Sequence, residues 1–251
     1  MPNNYSILHG SAAPVWPTYT AKEGAFYYVY TGTNAVSAYG KASALITLPT
    51  SIKLRDTIAW SRNAFICLGV TGSEGSVDIG LRNPGRDGFT GEEAPTNQGF
   101  GWEAMCYQCG YGNDKPEKIH DERFAAPEGT VRARVTITPD VATKKHITLA
   151  VEWLRANNSE IDHFSYTYTL SRTYDFKQFY RFASLPTTNP NASLSDGTFM
   201  IGGTFESAYL GNNVNWGINS GTTSTAWIIY PNKCTVPYQW DVGEQFRIEY
   251  N

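Results

Sequence analysis

Charge is scarce in this sequence. Asp, Glu, Lys and Arg make up 17% of its 251 residues, against roughly 25% in an average soluble domain. The formal net charge is −3, so there is no basic footprint for nucleic acid and no block of like charge to form a tail. No run of eighteen apolar residues occurs, which removes the signature of a membrane-spanning helix. The first residues, Met1-Pro2-Asn3-Asn4-Tyr5-Ser6, carry neither a basic start nor an apolar segment. The compartment is therefore open, with secretion behind a removed signal slightly favoured over the cytoplasm. Cysteine is limited to Cys67, Cys106, Cys109 and Cys234, too few at this length for a disulfide-rich scaffold. Cys106 and Cys109 form a lone Cys-x-x-Cys. A zinc ribbon needs a second such pair, so a local disulfide or two unreactive thiols is expected, and no cofactor or metal.

Aromatics and turn formers are plentiful: 16 Tyr, 12 Phe, 7 Trp and 23 Gly. That composition favours strands joined by polar turns. Period-two alternation is clearest in the centre. Val131, Ala133, Val135 and Ile137 share one face, and Ile147, Leu149, Val151 and Trp153 repeat the pattern, as do Phe164, Tyr166, Tyr168 and Leu170. Three such runs predict an antiparallel sheet with one face buried. Further strands are expected at 26–30, 42–48, 64–70, 76–81, 102–107, 198–205, 226–230 and 245–250. Residues 175–184 are ambiguous: Phe176, Phe179, Tyr180 and Ala183 fall at helical spacing, yet aromatics are poor helix formers and a strand at 179–184 fits nearly as well. Residues 1–22, with Pro2, Pro14 and Pro17, read as an extended arm. Residues 23–251 read as one all-β domain, a two-sheet antiparallel sandwich or jelly roll with at most one or two short helices.

The runs FICLGV, SVDIGL and GWEAMCYQ, and later FYRFASL, DGTFMIGGTF and NVNWGI, resemble consecutive strands of the concanavalin A-like lectin and glucanase jelly rolls. That resemblance implies two curved sheets, with glycans held on the concave face and its rim loops. The Glu-x-Asp-x-x-Glu strand of the retaining glucanases is missing, as is a clear legume-lectin calcium and manganese cluster.

Two constellations carry candidate chemistry. If the strands around 78 and 103 are neighbours, Asp78 and Glu103 face one another, and a carboxylate pair is what glycoside hydrolysis requires; Glu92 and Glu93 are weaker candidates. The plainer reading is a solvated face with an Asp–Arg or Glu–Arg pair. A Gln–Glu pair of the glutamic peptidase kind would need Gln98 or Gln108, and neither aligns convincingly with a glutamate. The four histidines form no ligand spacing, and no Gly-x-Ser-x-Gly elbow occurs. The second constellation joins aromatics to amides, which suits a sugar's C–H faces and hydroxyls. Asn83, Arg86, Asp87, Asn97, Gln98 and Trp102 supply it in the loop of residues 82–101. Tyr209, Asn212, Asn213, Asn215 and Trp216 supply it again further on. The sequence thus points to a carbohydrate-binding, lectin-like domain without catalysis, its partner a glycan or polysaccharide. The alternatives are a polysaccharide hydrolase or lyase using the carboxylate pair, and a structural or self-assembling protein.

Overall fold

The computed structural model describes residues 5–10, 24–54, 63–83, 101–110, 117–118, 124–186, 195, 197–229 and 233–250. In chain order the elements are β1 (Tyr5–Gly10), β2 (Gly24–Thr31), α1 (Ala35–Tyr39), β3 (Ala42–Thr47), β4 (Ser51–Lys53), β5 (Ala64–Gly72) and β6 (Gly75–Asn83). Then come β7 (Glu103–Gly110), β8 (Glu117–Lys118), β9 (Arg132–Pro139), β10 (His146–Leu154), β11 (Glu160–Thr169) and β12 (Gln178–Pro186). The last are β13 (Phe199–Leu210), β14 (Val214–Asn215), β15 (Thr223–Ile229), β16 (Cys234–Trp240) and β17 (Gly243–Glu249).

These strands build two antiparallel sheets. The first has eight strands in the order β1-β15-β2-β12-β5-β6-β7-β8. The second has nine, ordered β11-β10-β9-β3-β13-β17-β16, with β4 and β14 both paired to β13. The central alternation forms as expected. Val151 of β10 lies opposite Val135 of β9 and Phe164 of β11, and β10 alternates strictly between buried and half-buried positions until its last residue. The Gly72-Ser73-Glu74-Gly75 signal closes a hairpin in which Gly72 pairs with Gly75. Short loops of this kind need the backbone freedom that glycine provides.

The ambiguous segment resolves as strand. Phe179–Leu185 sits between β2 and β5, where both faces are covered, so a continuous apolar run replaces any period. The one helix among the described residues, α1, agrees with the expected one or two short helices, though its position was not foreseen. It is a single turn ending at Gly40 in the left-handed region (φ 73°). Within the expected arm, residues 5–10 pair with β15 at the edge of the first sheet; Pro14, Trp16 and Pro17 lie outside the described residues.

Between the sheets runs one core. Ile66, Leu68 and Val70 of β5, Val135 and Ile137 of β9, Ala44 and Ile46 of β3, and Trp153 of β10 are all at most 1% exposed. Each large apolar side chain so removed from water contributes about 1.5–3 kcal/mol. Inside this core lies an ion pair. Arg181 of β12 meets Glu244 of β17 through Nε–Oε1 and Nη2–Oε2, both 2.8 Å. Its Nη1 donates to the Trp216 carbonyl at 2.6 Å, and its guanidinium lies 4.7 Å from the Trp216 ring centroid. Both charged side chains are fully buried, so the sheets are clasped by matched charges at their centre.

Candidate functional site

The face of the eight-stranded sheet turned away from this core carries a second cluster. Alternation puts Phe26, Tyr28 and Tyr30 of β2 there, with Tyr180 and Phe182 of β12, Phe65 and Cys67 of β5, Met105 and Tyr107 of β7, and Trp227 of β15. Register aligns the rings. Tyr28 lies opposite Phe182 on one side and Trp227 on the other, and Tyr30 lies opposite Tyr180. Centroids are 5.2 Å apart for Tyr28–Phe182, 5.3 Å for Tyr30–Tyr180 and 5.7 Å for Phe26–Tyr28, with planes within 29° of parallel. Aromatic pairs at such spacings add about 0.5–1.5 kcal/mol beyond their buried area.

Beside the rings runs a polar row on β6 and β7. Ser76, Asp78, Gly80 and Arg82 occupy the outer face of β6, while Val77, Ile79 and Leu81 enter the core, as the alternation predicts. Asp78 faces Tyr107 across the ladder, and Arg82 faces Glu103. Arg82 grips Glu103 Oε1 with Nη2 and with Nε, the latter at 3.0 Å, and its Nη1 donates to the Tyr107 hydroxyl at 3.0 Å. Glu103 is 1% exposed and Arg82 7%. Asp78 is half-buried, accepts a hydrogen bond on Oδ1 from the Tyr180 hydroxyl, and has the Cys109 thiol 4.0 Å from Oδ2. Tyr180 reaches it by crossing Gly69. A methyl group at Gly69 would collide with the tyrosine ring at Cζ.

Burial sets the protonation of these groups. It pushes the Tyr180 phenol well above its ordinary range, and the neighbouring Asp78 charge adds to the effect. Tyr107 is raised chiefly by burial, with Arg82 opposing. Burial likewise holds the thiols of Cys67, Cys106 and Cys234 protonated. All four cysteines are free: Cys106 enters the core and Cys109 takes the outer face, so the Cys-x-x-Cys closes no local disulfide. Nucleophilic thiol chemistry has no support here. Among the described residues, no group of three or more His, Cys, Asp or Glu side chains is placed to hold a metal ion.

Asp78 and Glu103 do share one face of neighbouring strands. Their register separates them by four positions, since Asp78 pairs with Tyr107. That offset is roughly 13 Å along the strand at about 3.3 Å per residue. Each carboxylate is also held by a different partner. Gln108 turns to the opposite face, donating to the Ser171 hydroxyl and accepting from the Ser171 N–H, so it forms no pair with Glu103.

The expected sugar-binding loops need correction. Trp102 and Trp216 are 1% and 0% exposed and belong to the central core; neither ring is available to a ligand. Trp216 is used by Arg181, a demand the polar residues around it do not reveal. Asn83 is 6% exposed at the end of β6. Tyr209 is half-buried on β13, Asn212 and Asn213 are exposed, and Asn213 adopts φ 71°. The Asn215 side chain accepts from the Gly217 N–H at 2.7 Å. These asparagines shape turns. Arg86, Asp87, Asn97 and Gln98, with Glu92 and Glu93, lie outside the described residues.

Asn83, at the described root of the first loop, and the 211–217 turn also do not converge. Asn83 pairs with Ala64, and the next rung runs through Phe65 and Ser184 to Phe26, at the start of β2. The 211–217 turn instead joins Lys41 through the Gly211 N–H, beside the helix that follows the end of β2. They occupy opposite ends of the sandwich. Arg82 and Tyr107 fall on the outer faces that alternation gave them, with Arg82 in the Glu–Arg pair of the plainer reading; the residues that sequence reasoning missed are Tyr28, Tyr30, Tyr180 and Phe182. Their runs are apolar on both faces, so no period tells core from outer side.

No protein-family model matches the chain, and no curated protein matches it. Solved structures do. A Scytalido-glutamic peptidase with a peptide-based transition-state analogue superposes with a TM-score of 0.47 at 11% identity, covering 91% of this chain and 99% of that one. SCP-B, a member of the eqolisin family of peptidases in complex with the tripeptide Ala-Ile-His, gives 0.37 at 11% identity over 83% of this chain and 98% of its own. The CBM2 module of the evolved Dit of Lactobacillus casei BL23 phage J-1 gives 0.33 at 9% identity, covering 89% of this chain and 69% of that one. No functional residue is carried across from them.

Proposed function

We propose that the chain is a carbohydrate-binding, lectin-like protein that engages a glycan on the outer face of its eight-stranded sheet, without catalysis. The observation that supports this most is Asp78: a half-buried carboxylate, fixed by the Tyr180 hydroxyl, beside a wall of near-parallel rings. A sugar presents hydroxyl donors and an apolar C–H face. A carboxylate accepts from the first and aromatic carbon covers the second. Tyr28, Tyr30, Tyr180 and Phe182 are at most 9% exposed, so the sugar's C–H face is met by Phe26 and Tyr107, the half-buried rings at the border of the wall. This is the ligand class that the concanavalin A-like resemblance implies, on different residues from those the loops suggested.

Hydrolysis by Asp78 and Glu103 fits the geometry less well. Glycosidase carboxyl groups stand about 5–9.5 Å apart, one protonated and one ionised. Here the strand register spreads the two residues further, and Arg82 neutralises Glu103.

Titration of the purified protein with plant, microbial and animal polysaccharides tests the proposal, with Asp78→Asn as the key variant. The substitution keeps the shape and removes the charge. An affinity loss of about 10- to 100-fold is expected, the cost of a charge-assisted hydrogen bond, with an unchanged circular dichroism spectrum. Silence of the parent protein across all glycans overturns the reading. Release of new reducing ends by the parent, abolished in Asp78→Asn, would replace it with a hydrolase.

A further inference from the structure

We propose that β11 is a self-association edge through which two copies of the chain pair antiparallel, extending the nine-stranded sheet across a twofold axis at Tyr166. An unprotected strand edge displays backbone donors and acceptors, and proteins commonly blunt such edges with proline, bulges, charge or shortness. Three of the four sheet edges among the described strands are blunted in this way. β8 has two residues. β1 shifts register between Ile7 and His9. β16 carries Pro237 and shifts register between Thr235 and Tyr238.

The fourth edge is different. β11 has ten residues, and seven of them are exposed. It contains no proline and no lysine; its register shift lies between Asp162 and Glu160, at the acidic end, and from Thr169 to Asp162 its ladder to β10 is unbroken. Beyond the backbone lies an apolar lip. Phe164 stacks on Phe124 at 4.2 Å, and Tyr166, 38% exposed, meets Tyr168 edge-on at 4.8 Å. Hydrogen-bonding edge and aromatic lip therefore lie side by side on one strand.

Charge selects the occupant and its register. Glu160 and Asp162 are exposed at one end of β11, while Ser165–Thr169 carries no charge. Antiparallel pairing centred on Tyr166 sets Asp162 against Leu170 of the second copy and Phe164 against its Tyr168. Each acidic end then meets a neutral one. An axis near Asp162 would crowd four carboxylates, and like charges directly opposite are destabilising. A second copy of β11 thus fits its own edge antiparallel with the axis in the uncharged half, and Tyr166, the exposed ring of that half, places it.

Sedimentation velocity over a concentration series tests this. The parent chain is expected to shift from monomer to dimer, and Tyr166→Lys, which puts two ammonium groups on the axis, to stay monomeric with an unchanged circular dichroism spectrum. Tyr166→Cys adds a check on register, because residues facing each other at the axis lie within disulfide reach. Oxidation is expected to link Tyr166→Cys into a covalent dimer and to leave Val141→Cys, at a position 50% exposed elsewhere, largely monomeric. A parent chain that sediments as monomer up to about 100 µM, a range that excludes all but the weakest association, overturns the proposal. So does a dimer that survives Tyr166→Lys, or equal linkage of both cysteine variants.

Discussion

Arg181 shows how far one residue's surroundings decide its worth. A guanidinium in a dry core is costly unless its charge and its donors are all met. Here Glu244 takes two of them and the Trp216 carbonyl a third. Removing one partner is therefore expected to cost more than removing both. Arg181→Met or Glu244→Leu alone should lower the unfolding free energy by about 3–5 kcal/mol, while the double variant recovers most of the loss. Urea unfolding of the four proteins measures the cycle. A second prediction concerns pH. Tyr27, Tyr180 and Cys67 stay protonated in the fold well above their ordinary values of 10.0 for tyrosine and 9.0 for cysteine, chiefly through burial. An unfolded chain releases those protons first. Their contribution is thus complete below pH 9, and stability falls as pH rises through 9 and 10. Thermal unfolding followed from pH 7 to 11 should show a midpoint that drops steeply only at the alkaline end.

The same residue scale shows what the sequence discloses. Val135, Ile137, Leu149 and Val151 announce their face by alternation, because the other side of β9 and β10 is open to water. Tyr27 and Tyr28 are neighbours of one chemical type, yet Tyr27 enters the core and Tyr28 joins the outer cluster. Nothing in an apolar run separates them. Arg181 gave one usable hint, as the single charge in Phe179-Tyr180-Arg181-Phe182. Trp102 and Trp216 misled because loop composition reports the turn around a residue, and burial of the ring depends on strands far away in sequence.

At the scale of elements, the candidate site depends on close approach between β5, β6 and β12. Gly69 lies between Asp78 and Tyr180 in the ladder, and its missing side chain lets the phenol cross to the carboxylate. Gly69→Ala should displace Tyr180, cost about 1–3 kcal/mol as overpacking does, and weaken glycan binding along with Asp78→Asn. A variant as stable as the parent and unchanged in binding would show that the Tyr180–Asp78 contact does not organise the face. The elements legible in advance were those with a wet side or a glycine turn. β1, β4, β8, β14 and β16 went unseen: β1 within the expected arm, β4, β8 and β14 because they are two or three residues long, and β16 because Pro237 interrupts it. Residues 175–184 hesitated between helix and strand because a doubly covered strand, here 178–186, has no polar side to mark its period.

For the whole molecule, layering was readable and convergence was not. Alternating runs and glycine turns fix two stacked antiparallel sheets, but which loops meet depends on strand order. The order found sends residues 83 and 211–217 to opposite ends and leaves one broad face of the first sheet as the candidate site. It also leaves β11 as the edge of the second sheet. On the proposed assignment, with glycan on one sheet and self-pairing at the rim of the other, dimerisation leaves both ligand faces available. A paired protein is expected to hold a multivalent polysaccharide more tightly than Tyr166→Lys does, with equal affinity for a short oligosaccharide.

The buried clasp also orders events during synthesis. Arg181 leaves the ribosome 63 residues ahead of the carboxylate that neutralises it, and that carboxylate arrives on the last of the described strands. Until residues 243–249 emerge, a nascent sandwich would have to enclose an unmatched cation. Closure of the two layers is therefore held back until β17 has been made, which keeps a half-made sandwich from locking prematurely.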